Sequence, residues 1–334
     1  MGARGAESGK RDASELSVRG RMITVGIDIL TAVVAWMPLS VSAATARGIG
    51  RLWVRLSAPR TERVRVQLAT AFPNRSSGER EAWTRGVFEH LAQGLIELLI
   101  LRGSQRTALM DQVEVRGLEH LRAAEAKTEH GGVVIVTAHL GNWELACAKM
   151  ATLGIPLSVV YRGLREPALD RILLDLRSRG IGEENGNVRN PPASVQQIQM
   201  GHAGFPVVRA LEAGRKVMML LDQNATREEG VFVSFFGRQA STRSGPVKLA
   251  MARNVPIVPA FVRRNPNHKG HCIEILPAIA LASDANDSGE ALRVNVQRVT
   301  EAIEEAIRVD PSQWIWTHRR WRTRPETEGD ERTG

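Results

Sequence analysis

Apolar residues in this chain fall into short β-branched runs separated by stretches with helical spacing. Residues 133–138, Val-Val-Ile-Val-Thr-Ala, read as a buried strand. The run stops at His139, and Gly141-Asn142 turns the chain into a helical stretch over 144–153. Residues 157–161 predict a second strand and 167–179 a helix. Residues 183–205, rich in Gly, Asn and Pro, read as a loop. A helix over 207–213 leads to a strand over 216–221 that ends in Asp222-Gln223. A helix over 245–253, a strand over 256–262, an edge strand over 273–276 and an amphipathic helix over 292–307 follow. Nearer the start, Ser76 and Glu79 form a capping-box pattern. The helix after them carries Phe88, Leu91, Leu95, Leu98 and Leu99 at helical spacing, as core or as the cover of a groove. There is no internal repeat. The alternation predicts an α/β fold with a mostly parallel sheet flanked by helices.

The N-terminal part departs from this pattern. Residues 1–21 are polar, with Arg4, Lys10, Arg11, Arg19 and Arg21 outnumbering three acids, and read as a disordered basic tail. Over 22–46 Asp28 is the only charge, and that length can cross a bilayer. Asp28, Pro38 and several Ser and Thr lower its hydrophobicity, and a buried helical hairpin is the competing reading. Ser42-Ala43-Ala44 resembles a cleavage site, but the stretch starts late and runs long for a cleaved signal. The expectation is a membrane-associated anchor helix over 22–46, spanning or lying in the interface. Basic residues on both flanks leave its orientation open. The main domain then runs over 47–325, with a disordered tail over 326–334.

Composition narrows the class. A chain of 334 residues with 43% hydrophobic residues can bury a full core. Two cysteines, Cys147 and Cys272, exclude a disulfide scaffold and fit a reducing compartment. Cys147, one helical turn after Glu144, reads as a small core residue before it reads as a nucleophile. The net charge of +9 calls for anionic partners. Without a nucleic-acid-binding signature, anionic lipid or phosphorylated substrates fit better than nucleic acid.

The candidate chemistry sits at strand ends. His139 lies at the carboxyl end of a strand, where open α/β sheets place ligands. Glu144 follows five residues later, in the first turn of the next helix. A histidine with a carboxylate to orient it is the minimum for deprotonating a hydroxyl. The competing reading is a strand-end histidine held by a backbone carbonyl. Tyr161-Arg162 and Asp222-Gln223 close two further strands, so one sheet edge can gather all three ends in a cleft. Arg162 suits a phosphate clamp and otherwise is a surface arginine; Arg177 and Arg179 on the next helix join it or are solvated. Asp222 pairs with one of these arginines, or is a turn residue. Phe232, Phe235 and Phe236 read first as core. Residues 314–324 mix Trp with Arg and fit a membrane interface, or pack back on the core. His268 and His271 read as turn residues rather than metal ligands, since no carboxylate or cysteine cluster accompanies them.

Five motifs in order carry a resemblance. They are His139-Leu140-Gly141-Asn142-Trp143-Glu144; Val160-Tyr161-Arg162 with Glu166-Pro167-Ala168-Leu169-Asp170; Leu221-Asp222-Gln223; residues 230–237 with Ala240 and Thr242; and residues 313–321. From about residue 20 to Pro325 the chain resembles the lipid A biosynthesis acyltransferases, the late lauroyl/myristoyl transferases, within the lysophospholipid acyltransferase superfamily. The resemblance implies a glycerolphosphate-acyltransferase-like fold and O-acyl transfer at a cytoplasm-facing inner membrane surface. The donor is an acyl-carrier-protein thioester or acyl-CoA, with no bound cofactor or metal, and the acceptor a hydroxyl of a membrane glycolipid. Another membrane lipid, such as a phosphatidylinositol mannoside or a lysophospholipid, is the alternative acceptor, and a non-catalytic peripheral membrane protein the alternative class. The resemblance makes His139 the general base and Glu144 its orienting partner, with oxyanion donors from the backbone at Gly141 and Asn142. Tyr161, Arg162, Arg177, Asp222, Gln223, Phe236 and Thr242 become substrate-binding residues, with the phenylalanines lining an acyl pocket. Gly163 stands where many relatives have proline.

Overall fold

β-Branched runs become the strands of a seven-stranded sheet, and the helically spaced stretches cover both of its faces. The structure is a computed structural model describing residues 17–178, 195–201, 203–266, 269–283 and 288–326. In chain order the elements are α1 (Val18–Ala35), α2 (Leu39–Leu56), α3 (Ala58–Ala71), α4 (Ser77–Arg102), α5 (Arg106–Asp111), β1 (Val113–Arg116), α6 (Leu118–Glu125), β2 (Val133–Thr137), α7 (Trp143–Thr152), β3 (Leu157–Tyr161), α8 (Pro167–Ser178), β4 (Gln196–Gln199), α9 (Gly204–Glu212) and β5 (Lys216–Leu220). The hairpin β6 (Gly230–Phe235) and β7 (Arg238–Arg243) follows, then α10 (Gly245–Arg253), β8 (Ile257–Arg264), β9 (His271–Ile275) and α11 (Ser288–Val309). The main sheet runs β1-β9-β8-β2-β5-β3-β4, and every pairing is parallel except β8 with β9.

The central strand β2 is buried throughout. Its alternate side chains feed two cores, as a strand period of two demands. Val134 and Val136 join one with Leu68, Phe88, Val247, Val299 and Trp314; Val133 and Ile135 join the other with Leu145, Cys147, Leu157 and Leu176. β2, β5 and β3 are parallel neighbours, so their carboxyl ends share one edge. Ser76 and Glu79 form the expected capping box at the start of α4.

Several expectations are corrected. The helix α1 begins at Val18, inside the stretch read as a tail, because the Ser17 side chain accepts from the Gly20 N–H and caps it. Residues 22–46 are not one helix: Pro38 separates α1 from α2. No helix among the described residues is long and apolar enough to cross a membrane. Asp28 pairs with Arg102 at 2.6 Å instead of interrupting an anchor. β4 lies within the expected loop, since an edge strand of four mostly polar residues carries little apolar pattern. Trp314, Trp316 and Trp321 are buried in the core, so the C-terminal segment packs on the sheet and not at an interface. His271 opens β9 and is buried. His268, Arg179 and residues 327–334 lie outside the described residues.

Candidate active site

The site is built on the ends of β2, β5 and β3. A cleft of about 580 Å³ opens there, lined by His139, Trp143, Glu144, Tyr161, Arg162, Arg177 and Gln223 among others. Three strand ends read as polar from the sequence thus meet in one cavity.

His139 is oriented by Asp222. The imidazole Nδ1 lies 2.9 Å from Asp222 Oδ1, and the His139 backbone N–H donates to Oδ2 at 2.8 Å. The Trp314 indole donates to the same Oδ2 at 2.7 Å. Asp222 is buried, which pushes its carboxyl up. Attraction to the His139 ring when protonated and these three hydrogen bonds outweigh burial and hold it down at about 2. An ionised carboxylate only accepts, so Nδ1 carries the proton and Nε2 presents a lone pair. The side-chain amide of Gln223 lies 3.3 Å from that Nε2, and the Trp143 ring meets the imidazole edge-on at 4.8 Å.

Glu144 has a different partner. Arg177 on α8 grips it with two hydrogen bonds, at 2.8 and 2.5 Å. Both side chains are nearly buried, at 5% for Glu144 and 6% for Arg177. The orienting role expected of Glu144 therefore falls to Asp222, and the anion bound by Arg177 is Glu144. Local geometry explains the exchange. Asn142 caps α7 by accepting from the Glu144 N–H, and Glu144 in the first turn points toward α8.

The loop between His139 and Glu144 is clamped from below. Gly141 has φ +62°, and a Cβ there would sit 1.9 Å from the Val262 carbonyl oxygen. Its N–H donates to the Gln313 carbonyl at 3.1 Å, so it is not the oxyanion donor expected of it. Its carbonyl accepts from His90 Nε2 at 3.2 Å, and burial holds the His90 ring neutral, at about 4. Asn142 is buried and donates to Glu97 at 2.9 Å rather than facing substrate. Glu97 is bound by Arg264 and faces His271 at 3.3 Å. Burial pushes Glu97 up, but those two neighbours hold it well below the usual carboxylate range. The sequence reading missed this support. One signal was available: Glu97 is a carboxylate inside the apolar run 95–101.

Two expected substrate contacts lie elsewhere. Phe236 is the first turn residue of the β6–β7 hairpin, at φ +52° with Gly237 at +74°, the pattern of a tight two-residue turn. Its ring packs on Phe72 and Trp316, with the Arg308 guanidinium 4.5 Å above it. Thr242 is buried against Arg320. Phe235 is core, and Arg227 stacks over Phe232. Arg162 and Tyr161 do line the cleft, with Arg177 5.7 Å over the Tyr161 ring. Cys147 is buried, and desolvation pushes its thiol up to about 12, as befits a core residue. No cluster of ligating side chains fit for a metal occurs among the described residues.

Known proteins of one family resemble this chain. The profile of the bacterial lipid A biosynthesis acyltransferases matches residues 10–323. The lipid A biosynthesis lauroyltransferase of Escherichia coli K12 is 28% identical over 90% of this chain and 92% of its own. A lipid A biosynthesis acyltransferase of Haemophilus influenzae is 24% identical over 92% of this chain and 89% of its own. The Escherichia coli K12 lipid A biosynthesis myristoyltransferase is 24% identical over 83% of this chain and 79% of its own. A likeness to the 1-acyl-sn-glycerophosphate acyltransferase structure from Thermotoga maritima, at a TM-score of 0.37, 12% identity and coverage of 83% of this chain and 100% of that one, is too loose to add to this. With its profile matched almost from end to end, this chain belongs to the bacterial lipid A biosynthesis acyltransferase family and is an acyltransferase.

Proposed function

We propose that the protein transfers a fatty acyl chain from a thioester, of acyl carrier protein or coenzyme A, to a hydroxyl of a lipid A precursor, with His139 as general base. The observation that carries this reading is the His139–Asp222 pair, whose basic nitrogen opens into the cleft. His139 Nε2 takes the proton of the acceptor hydroxyl as its oxygen attacks the thioester carbonyl. The tetrahedral oxyanion then collapses, the carbon–sulfur bond breaks, and the leaving thiolate takes the proton back from His139. The donor is already activated, so no covalent enzyme nucleophile is needed. Asp222 holds the ring and stabilises its charged form during the transfer. The Gln223 amide, beside Nε2, supplies a donor for the oxyanion. Arg162 at the cleft binds acceptor phosphate. Glu144 and Arg177, locked to each other, shape the cleft wall.

The same reading places the protein on the cytoplasmic face of the inner membrane, docked through α1 and α2. Met22, Val25, Ile29 and Val33 form an exposed stripe along α1, with Trp36 exposed at its C-cap, and Ile49, Leu52 and Leu56 are exposed on α2. Arg21 on α1 and Arg47 and Arg55 on α2 suit anionic headgroups.

The test is acyl transfer by membranes carrying the protein, using acyl-carrier-protein and coenzyme A thioesters with a lipid A precursor, beside His139→Ala. Product that vanishes in the variant is expected. Undiminished product in His139→Ala refutes the mechanism, and absence of product with either donor refutes the substrate assignment. Vesicle co-sedimentation of Met22→Ser/Trp36→Ser should fall several-fold; unchanged binding removes the proposed docking face.

A further inference from the structure

Beside the cleft lies a second basin of about 400 Å³, and its charge is unlike that of an ordinary surface. Arg63, Arg238, Arg319, Arg322 and Arg324 line it; among the described lining residues the one carboxylate is Glu62, which faces Arg65 at 3.6 Å. Three of these, Arg63, Arg319 and Arg322, line the catalytic cleft as well, so they form the partition between the two cavities. Arg324, at the other end of the set, is only 2% exposed.

The cationic frame is held in place. Gln67 on α3 donates to the carbonyls of Trp316 and His318 and accepts from the Arg320 N–H at 2.9 Å. Arg63 reaches the Thr317 carbonyl at 3.3 Å, and the Asn224 side chain bonds the Thr323 backbone and hydroxyl, each at 3.0 Å. Burial and then the charges of Arg319 and Arg60 push the Arg63 guanidinium down, as crowding of like charges does. Like charges gathered and partly desolvated repel one another, and an anion placed among them relieves that repulsion. Guanidinium forks match the oxygens of a phosphate, and several around one concavity suit a phosphomonoester better than a carboxylate. The basin is concave and its Arg324 is nearly buried, so a small headgroup reaches it whereas the surface of a folded protein does not.

We propose that this basin is a second anion subsite, in which Arg63, Arg319 and Arg322 hold a phosphate of the acceptor headgroup remote from the hydroxyl that is acylated. Together with Arg162 in the cleft it grips the acceptor at two points, which sets which hydroxyl meets His139. The inference rests on the reading of the acceptor as a phosphorylated glycolipid.

The experiment uses the full chain in detergent-lipid micelles, with Arg63→Gln, Arg319→Gln and Arg322→Gln, and Arg122→Gln as a distant control. The acceptor is a phosphorylated lipid A precursor and the same lipid after phosphatase treatment. The expected result is a rise of roughly tenfold in acceptor KM for each partition variant, from the loss of one charge-assisted contact, with kcat within about threefold. That rise should vanish with the dephosphorylated acceptor, and the donor KM should not move. Equal losses with both acceptors, an unchanged acceptor KM, or a rise confined to the acyl-carrier-protein KM each overturn the subsite; the last would make the basin a carrier-docking surface. Equilibrium binding of both lipids to His139→Ala, with and without the partition substitutions, separates this idea from the catalytic one. Weaker binding of the phosphorylated lipid alone upholds the subsite whether or not turnover is found, and identical binding overturns it.

Discussion

Replacing Asp222 by Asn tests which carboxylate serves the histidine. In the native site Oδ2 accepts from the His139 backbone N–H and the Trp314 indole, and Oδ1 faces His139 Nδ1. An asparagine satisfies the first two donors only by placing its oxygen at the Oδ2 position. Its NH2 group then faces Nδ1, which must accept instead of donate. The ring proton moves to Nε2, and the nitrogen that should take the acceptor proton is blocked. The same tautomer argument in serine hydrolases is worth about 10⁴ in kcat, so a fall on the order of 10³–10⁴ is expected here. Stability changes as well. The Asp222 carboxyl is held at about 2 against an ordinary 3.8. Nearly two pH units correspond to roughly 2 kcal/mol. A depressed folded-state value stabilises at pH above the ordinary one. The contribution is present above about pH 4 and lost as pH falls towards 2. The native protein should thus lose more stability over that window than Asp222→Asn does. The assay is kcat at saturating thioester and acceptor, alongside urea unfolding at pH 7 and pH 3. Full-strength kcat in Asp222→Asn, with a collapse in Glu144→Gln instead, would refute the assignment and return the orienting role to Glu144.

Other outcomes follow from the same geometry. Gly141→Ala places a Cβ against the Val262 carbonyl at a left-handed φ and should cost about 2–4 kcal/mol, read as a lower unfolding midpoint with activity reduced in step. Arg177→Met strands the Glu144 carboxylate in a nearly buried site and should destabilise by about 3–5 kcal/mol, whereas the double change Glu144→Leu/Arg177→Met should recover much of that loss; differential scanning calorimetry distinguishes them. Cys147, with its thiol pushed up to about 12, should resist iodoacetamide in the native protein at pH 8, and peptide mass mapping should find alkylation at the half-buried Cys272 first.

The strand and helix pattern was open to reading because burial imposes a period. β3 was predicted at its observed bounds and β2 to within a residue, and α10 was also matched, where Gly245-Pro246 opens the helix and Asn254 closes it in a left-handed cap. β4 and the β6–β7 hairpin escaped, since the first is short and polar and the second hides its turn at Phe236, an aromatic residue in a conformation glycine usually takes. The Trp and Arg residues of 314–324 misled in the opposite direction. Their amphipathic chemistry fits an interface, but Asp222 needs the Trp314 indole inside the core.

The sequence by itself determined that His139, Tyr161-Arg162 and Asp222-Gln223 end three strands, because apolar runs and their polar stops are local. It determined too that Glu144 starts a helix five residues after His139. Which carboxylate the imidazole meets was decided only by tertiary structure. Strand order sets β5 beside β2 and brings Asp222, 83 positions away, to within 2.9 Å, while α8 brings Arg177 to Glu144. Closeness along the chain favoured Glu144, and sheet pairing, a long-range interaction that leaves no local mark, chose Asp222.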